Sequence, residues 1–355
     1  MKTLRVHKIA SVTYRLAIER EVELLEEGVP EVGNVVVVQA LEEKRVYSEL
    51  ELATGRMAKI LKGDVLVGAL GARMALKGFV GRVPKRLAPG DRLHILNMGG
   101  VVGECTSAGG DIGRALETRF LGMAMKDGRV RNIREGAIPE RERLDDPPPL
   151  ILVGGSCMSS GKTQAACETI AGLTARGLRV GAGKVSGVAC LRDQLNMLDH
   201  GAVAAMSFLD CGHPSTARMD SVVGIAKGVI GALKEEANPD AIVLELGDGV
   251  IGGYGVSSLY ADDELRAATA LHVFCANDLV AAWGGQSYLA RMGVAISILS
   301  GPVTDNEVGV DYGERELHVP SANARTEPER LVGLVVQALS RARRMGTRKI
   351  KVAEP

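Results

Sequence analysis

The stretch at 150–174 limits what this chain can fold into more than any other. It opens on an apolar run, Leu150-Ile151-Leu152-Val153, and continues through Gly154-Gly155-Ser156-Cys157-Met158-Ser159-Ser160-Gly161. It then passes by way of Lys162-Thr163 into a helical pattern with Ala165, Ala166, Thr169, Ile170 and Leu173 on one face. Strand, loop of small residues, Gly-Lys-Thr and helix form the context that a phosphate-binding loop requires. Small residues let backbone N–H groups turn inward on phosphate oxygens, and the start of the helix points its positive dipole end at the same anion. In that arrangement Gly155, Ser156, Ser159, Ser160 and Gly161 line the ligand. Lys162 reaches the β- and γ-phosphates, and the Thr163 hydroxyl holds Mg²⁺. Five residues, 156–160, separate Gly155 from Gly161, one more than in the common spacing. Either Ser156 stands in for the first glycine or the loop is one residue longer.

From residue 150 onward strand and helix signals alternate, which predicts a doubly wound parallel sheet. The strand at 178–183 is followed by Lys184, and Ala241-Ile242-Val243-Leu244 runs into Glu245. Later strands are expected at 271–275 and 295–299. Helices are expected at 218–236 and from Thr326, where Glu329 three residues on makes a capping box. In parallel sheets ligands gather at the carboxyl ends of the strands. That rule selects Lys184, Glu245 and Asn277 as companions of the loop. Glu245 is the expected metal-side carboxylate, with Asp248 its competitor. Asp210 opens the polar run Asp210-Cys211-Gly212-His213-Pro214-Ser215-Thr216.

The first 140 residues have a different texture. Short β-type runs such as Val35-Val36-Val37-Val38, 64–70, 92–96 and 119–125 are separated by turn signals such as Pro89-Gly90-Asp91. A short strand within 5–14 and a helix over 17–27 are expected before them. These signals predict a β-rich N-terminal domain over 1–140, a small barrel or sandwich. The proline-rich stretch at 141–149 reads as a partly stiff linker, 150–345 as the α/β domain, and 346–355 as a basic tail.

Composition narrows the function classes. Lys plus Arg and Asp plus Glu are equal at 43 each, and aromatic residues make up 3%. No global field favours nucleic acid or an anionic membrane, and stacking platforms for single strands are scarce. The six cysteines form no C-x-x-C pair, so neither a zinc pattern nor a disulfide framework is expected. No apolar run reaches the roughly 18 residues of a membrane span, and no apolar signal core follows Met1. The expectation is a cytoplasmic protein acting on a small molecule, without nucleic-acid or membrane partners, with a homodimer as one option.

The loop at 155–163, with its five intervening residues, resembles that of the dethiobiotin synthetase-like branch of P-loop proteins. Gly177-Leu178-Arg179-Val180-Gly181-Ala182-Gly183-Lys184 is similar to the branch's second strand, Leu244-Glu245-Leu246-Gly247 to its metal strand, and Cys275-Ala276-Asn277-Asp278 to its segment near the nucleotide base. The resemblance covers roughly 150–310. It implies ATP and Mg²⁺ as cofactors, Lys162 and Lys184 as catalytic residues, Asn277 beside the base, and on the metal Thr163, Glu245 and an aspartate from between Lys184 and Glu245, for which Asp193, Asp199 and Asp210 compete. The implied activity is phosphorylation of a carboxylate or carbamate on a small metabolite. No glutamine amidotransferase domain is evident, which argues against the amidating synthetases of that branch. Two alternatives stand beside it: a nucleotide-driven switch or assembly factor, and an acyl-CoA-dependent N-acyltransferase of an amino acid, whose loop would cradle CoA phosphates.

Overall fold

The computed structural model describes residues 2–344, so the basic tail expected at 346–355 lies outside the described residues. The chain divides into two compact units: Met1–Ile138 with Gly187–Arg192 and Phe208–Arg218, and Pro139–Ser186 with Asp193–Ser207 and Met219–Pro355.

The first unit is β-rich, as its texture predicts. Five strands close a ring: Leu116–Lys126 pairs with Val35–Ala40, that with Val65–Leu70, and that with Val101–Ala108. Arg92–Ile95 then pairs with both Val101–Ala108 and Leu116–Lys126. Closure removes the edges that an open sheet would expose. Val35, Val36, Val37 and Val38 are all buried, so both faces of that strand are covered. The helix expected over 17–27 is instead the strand Glu21–Leu25, paired with Lys2–Arg5 and Leu116–Lys126. Val22 and Leu24 alternate inward there; the two-residue period outweighs the helical propensity of glutamate and leucine. The predicted early strand is two short ones, Lys2–Arg5 and Lys8–Ile9, followed by a 3₁₀ turn at Ser11–Leu16.

Two short segments from later in the chain belong to this unit. The Asn97 side chain donates to Ala189 O, and Glu51 accepts from the backbone N–H groups of Leu191 and Arg192 at 2.7 Å each. Ile138 N–H donates to Asp210 O at 2.8 Å.

The second unit is a doubly wound α/β domain. Its elements, numbered from its own start, are β1 (Leu150–Gly155), α1 (Lys162–Thr174), β2 (Val180–Ser186), α2 (Arg192–Asp199), β3 (Ala204–Ser207), α3 (Val223–Ala237), β4 (Ala241–Leu246), α4 (Val256–Ala261), α5 (Asp263–Ala268), β5 (Thr269–Cys275), α6 (Leu279–Ala290), β6 (Ile298–Ser300), α7 (Glu307–Asp311) and α8 (Pro328–Arg344). All six strands are parallel in the order β3-β2-β4-β1-β5-β6. One face packs Ile151, Val153, Val180, Ala182, Val243 and Val273 against α1 and α8. A Cβ on Gly172 of α1 would meet Val332 Cγ2 of α8 at 2.3 Å, so the missing side chain sets the spacing of those helices. On the other face Gly183 lies against Val229 of α3, and Gly285 of α6 against Phe274. The final helix begins at Pro328 rather than Thr326, because proline suits the first helical position. Asn323 Oδ1 accepts from Arg325 and Thr326 N–H just before it.

Residues 139–149 run along α3. Arg141 Nη2 meets Glu235 Oε1 at 2.6 Å, and Lys227 and Lys234 donate to Glu142 O and Asp145 O. Gly224, Gly228 and Gly231 leave the space it occupies: a Cβ on Gly228 would stand 2.6 Å from Pro139 O.

Candidate functional site

The two-residue period of the strands places the site. Val180 and Ala182 point at α1, so Lys184 at the end of β2 points the same way. Ala241 and Val243 likewise point at α1, and Glu245 follows them. Lys184 and Glu245 are register partners, and Glu245 pairs on its other side with Val153 at the mouth of the phosphate loop. Thr163 stands on the first turn of α1 and donates its Oγ1 hydrogen to Glu245 Oε1 at 3.0 Å. Lys184 Nζ lies 3.4 Å from the same Oε1 and 2.6 Å from Asp193 Oδ2, which the first turn of α2 presents. Glu245 is 2% exposed, and its Oε2 is buried without a hydrogen-bond partner.

The loop itself is tightly wound. Ser159 and Gly161 have φ of 60° and 89°. Alternation into the left-handed region turns successive N–H groups to one side, and the first amides of α1 have no intrahelical acceptor. Lys162 Nζ donates to Cys157 O at 2.6 Å and Ser160 Oγ at 3.3 Å. Burial pushes the Lys162 ammonium below the usual lysine range, and the charge of Glu245 opposes that shift. Ser160 is fully buried and wires the inside of the loop, whereas Ser159 is exposed. Ser156 is half-buried at the turn, its N–H bonded to Cys275 O at 2.9 Å.

Three glycines let other chain segments press on this loop. A Cβ on Gly155 would meet Ser160 Oγ at 2.5 Å, one on Gly249 would meet Ser156 O at 2.2 Å, and one on Gly301 would meet Ser160 O at 2.3 Å. Between Gly247 and Gly249, Asp248 sits at φ 69°. Burial raises its carboxyl above the usual range, and Lys162 pulls it back.

Asn277 Nδ2 donates to Cys157 Sγ at 2.9 Å, so the residue expected beside the base is tied to the loop's own wall. Of the three competing aspartates, Asp193 is the one on Lys184 within this unit, and Asp199 ends α2. Asp210 belongs to the first unit, where Tyr14 and Arg15 both hold its Oδ1, Arg15 Nη1 at 2.9 Å. Burial, followed by the charge of Asp210, pushes the Tyr14 phenol upward. The sequence carried no signal that would separate these aspartates, since the choice depends on the turn between Ser186 and Arg192, whose path no local pattern fixes.

No family model matches the chain, and no curated protein matches it. Among solved structures, a DUF1611 family protein from Anabaena variabilis is 15% identical at a TM-score of 0.39, the match covering 60% of this chain and 65% of that one. HypB from Helicobacter pylori, solved in complex with nickel, is 15% identical at a TM-score of 0.36, covering 60% of this chain and 90% of that one. The cell division protein FtsY from Thermotoga maritima is 15% identical at a TM-score of 0.35, covering 58% and 72%. Overlays of this quality carry no functional argument. The strand order and the loop geometry define the second unit by themselves as a doubly wound α/β domain with a tight loop of small residues between its first strand and first helix.

Among the described residues no group of three or more His, Cys, Asp or Glu side chains forms a metal cluster. A metal at this site therefore depends on hydroxyl, carboxylate and ligand oxygens together, as Mg²⁺ bound beside phosphates does. The unpartnered Glu245 Oε2, beside the Thr163 hydroxyl, fits that demand. No described helix is long and apolar enough to cross a membrane.

Proposed function

We propose that the protein is a nucleotide- and Mg²⁺-dependent enzyme that transfers a phosphoryl group to a carboxylate or carbamate of a small metabolite, with ATP as the donor. One observation carries the reading. The Lys184 ammonium lies on Glu245, whose other oxygen lacks a partner, at the strand end beside Thr163.

Phosphoryl transfer asks little covalent work of a protein; positioning and charge neutralisation dominate. The loop amides at 156–163 hold the polyphosphate, with Lys162 leaving the Cys157 carbonyl to meet it. Thr163 and Glu245 would hold Mg²⁺, which would supply positive charge against the polyphosphate. Lys184 steadies the charge that develops on the transferred group and orients the accepting carboxylate, while Asp193 keeps its ammonium aimed. The resemblance to dethiobiotin synthetase-like proteins supplies the acceptor class, and the strand-tip lysine supports it.

The test is a stabilisation screen with Mg-ATP, Mg-GTP and acetyl-CoA, followed by hydroxylamine trapping with a panel of carboxylates. The reading requires a gain with a Mg-nucleotide and hydroxamate formed from at least one carboxylate. Slow hydrolysis with no hydroxamate from any acid, or binding of acetyl-CoA in preference to nucleotide, would overturn it.

A further inference from the structure

The first unit holds two cations, Arg73 and Lys44, that form no ion pair among the described residues, Lys44 feeling the more distant charge of Glu42. Arg73 lies on the short strand Arg73–Met74, is 7% exposed, and has an Nε that is buried without a hydrogen-bond partner. Its Nη1 donates to Leu96 O. Its guanidinium lies 5.5 Å from the Tyr47 ring and 5.8 Å from the Phe79 ring, which are themselves 4.9 Å apart. Lys44 Nζ lies 5.6 Å from the centre of the same Phe79 ring and donates to Arg114 O. Neighbouring Arg82 and Arg114 are paired with Glu104 and Glu42; Arg73 and Lys44 form no ion pair among the described residues.

Burying a guanidinium without a carboxylate is costly, and attraction to aromatic faces offsets only part of that cost. The surroundings are shaped to hold it there. A Cβ on Gly78 would stand 2.8 Å from Arg73 Nη2, so the glycine makes room for the guanidinium. Tyr47 holds φ at 53°, a strained value for an aromatic residue and one that recurs at ligand clamps. Lys44 and Tyr47 are half-buried, which leaves a way in from solvent.

We infer that Arg73 and Lys44, with the Tyr47–Phe79 ring pair, bind the anionic group of a small organic molecule, a carboxylate or a phosphate, whose attached carbon skeleton packs on the rings. Arginine's planar fork matches either anion. The site belongs to the first unit and does not depend on the proposed phosphoryl transfer.

Cys105 reports on it. Burial raises its thiol pKa, while Lys44 and Arg73 pull the other way. An anion that screens those cations removes the pull and slows alkylation. The experiment is iodoacetamide labelling of the full chain, read cysteine by cysteine by mass spectrometry. The added ions are inorganic phosphate, malonate, or chloride at matched ionic strength. Cys157 reports the phosphate loop in the same sample, so failure at one site is distinguishable from failure at the other. The expected result is that phosphate, malonate or both slow Cys105 by about threefold or more, since the thiolate is the reacting form, and that Lys44→Gln abolishes the effect. Protection by phosphate alone marks a phosphorylated ligand, and by malonate alone a carboxylate. Arg73→Gln, where it folds, gives the same loss. Equal protection by chloride, no protection by either anion, or protection that survives Lys44→Gln overturns the inference.

Discussion

Lys184 and Glu245 face each other as register partners on adjacent parallel strands, Nζ 3.4 Å from Oε1. Asp193 takes the ammonium from another side at 2.6 Å. Lys184→Met keeps most of the stem and removes the charge. Leaving two carboxylates without their cation costs about 3–5 kcal/mol where a buried pair is broken. Loss of a donor aimed at developing charge lowers turnover by about 100-fold or more. Steady-state kinetics beside a urea melt checks both. Unchanged turnover would remove Lys184 from the chemistry.

Thr163→Val deletes a hydroxyl without changing shape. Glu245 Oε1 loses the 3.0 Å donor, and the proposed Mg²⁺ site loses an oxygen. The Mg²⁺ concentration needed for half-maximal activity should rise by about tenfold, within the range seen when residues supporting a metal are altered. Thr163→Ser should stay near wild type. A Mg²⁺ titration at fixed nucleotide decides it, and identical curves for valine and threonine would contradict the assignment.

Close backbone approach makes the glycines after β4 irreplaceable. A Cβ on Gly247 would sit 2.0 Å from Ser186 O, and one on Gly249 2.2 Å from Ser156 O. Either Gly→Ala change should destabilise by about 1–3 kcal/mol, the usual range for overpacking. Gly284 in α6 has nothing within 4 Å of its would-be Cβ. Gly284→Ala should instead stabilise by about 0.5–1 kcal/mol, through helix propensity alone. Denaturant melts of the three variants measure the contrast.

His272 is fully buried against Tyr260, whose Oη lies 2.9 Å from Nε2. Burial pushes its pKa down to about 3, against about 6.5 in an unfolded chain. Between those values the unfolded chain binds a proton that the folded one refuses. Its contribution is therefore intact above about pH 6.5 and is lost as pH falls towards 3, at up to about 1.4 kcal/mol per pH unit. His272→Gln, which keeps an acceptor for Tyr260, should flatten that part of the stability profile. Parallel profiles for the two proteins would show that His272 does not titrate as the burial demands.

Much of the second unit was legible because its strands obey a two-residue period and end in charge. Val180, Ala182, Lys184 and Ala241, Val243, Glu245 are the same pattern twice, and the pattern itself aims the last residue at α1. The loop at 155–163 announces itself by its small residues before Lys162. Asp193 was one aspartate among three until the first turn of α2, nine residues after Lys184, set it on that lysine. Other features that escaped detection depend on partners far along the chain. The segments at 187–192 and 208–218 join the first unit through Glu51, Asn97 and Ile138, contacts spanning roughly seventy residues or more that local patterns do not register. At 21–25, Glu-Val-Glu-Leu-Leu fits a helix by propensity and a strand by alternation, and its neighbours in the sheet decided.

The central claim is that the loop at 155–163 grips a polyphosphate. Its most direct test is the stabilisation of the folded chain by Mg-ATP, wild type against Lys162→Ala. At a hundredfold excess over Kd a true ligand adds about 2.7 kcal/mol. That gain is predicted for wild type and should vanish, or require far more nucleotide, in the variant. Equal gains in both proteins, or no gain with any nucleotide, would contradict it.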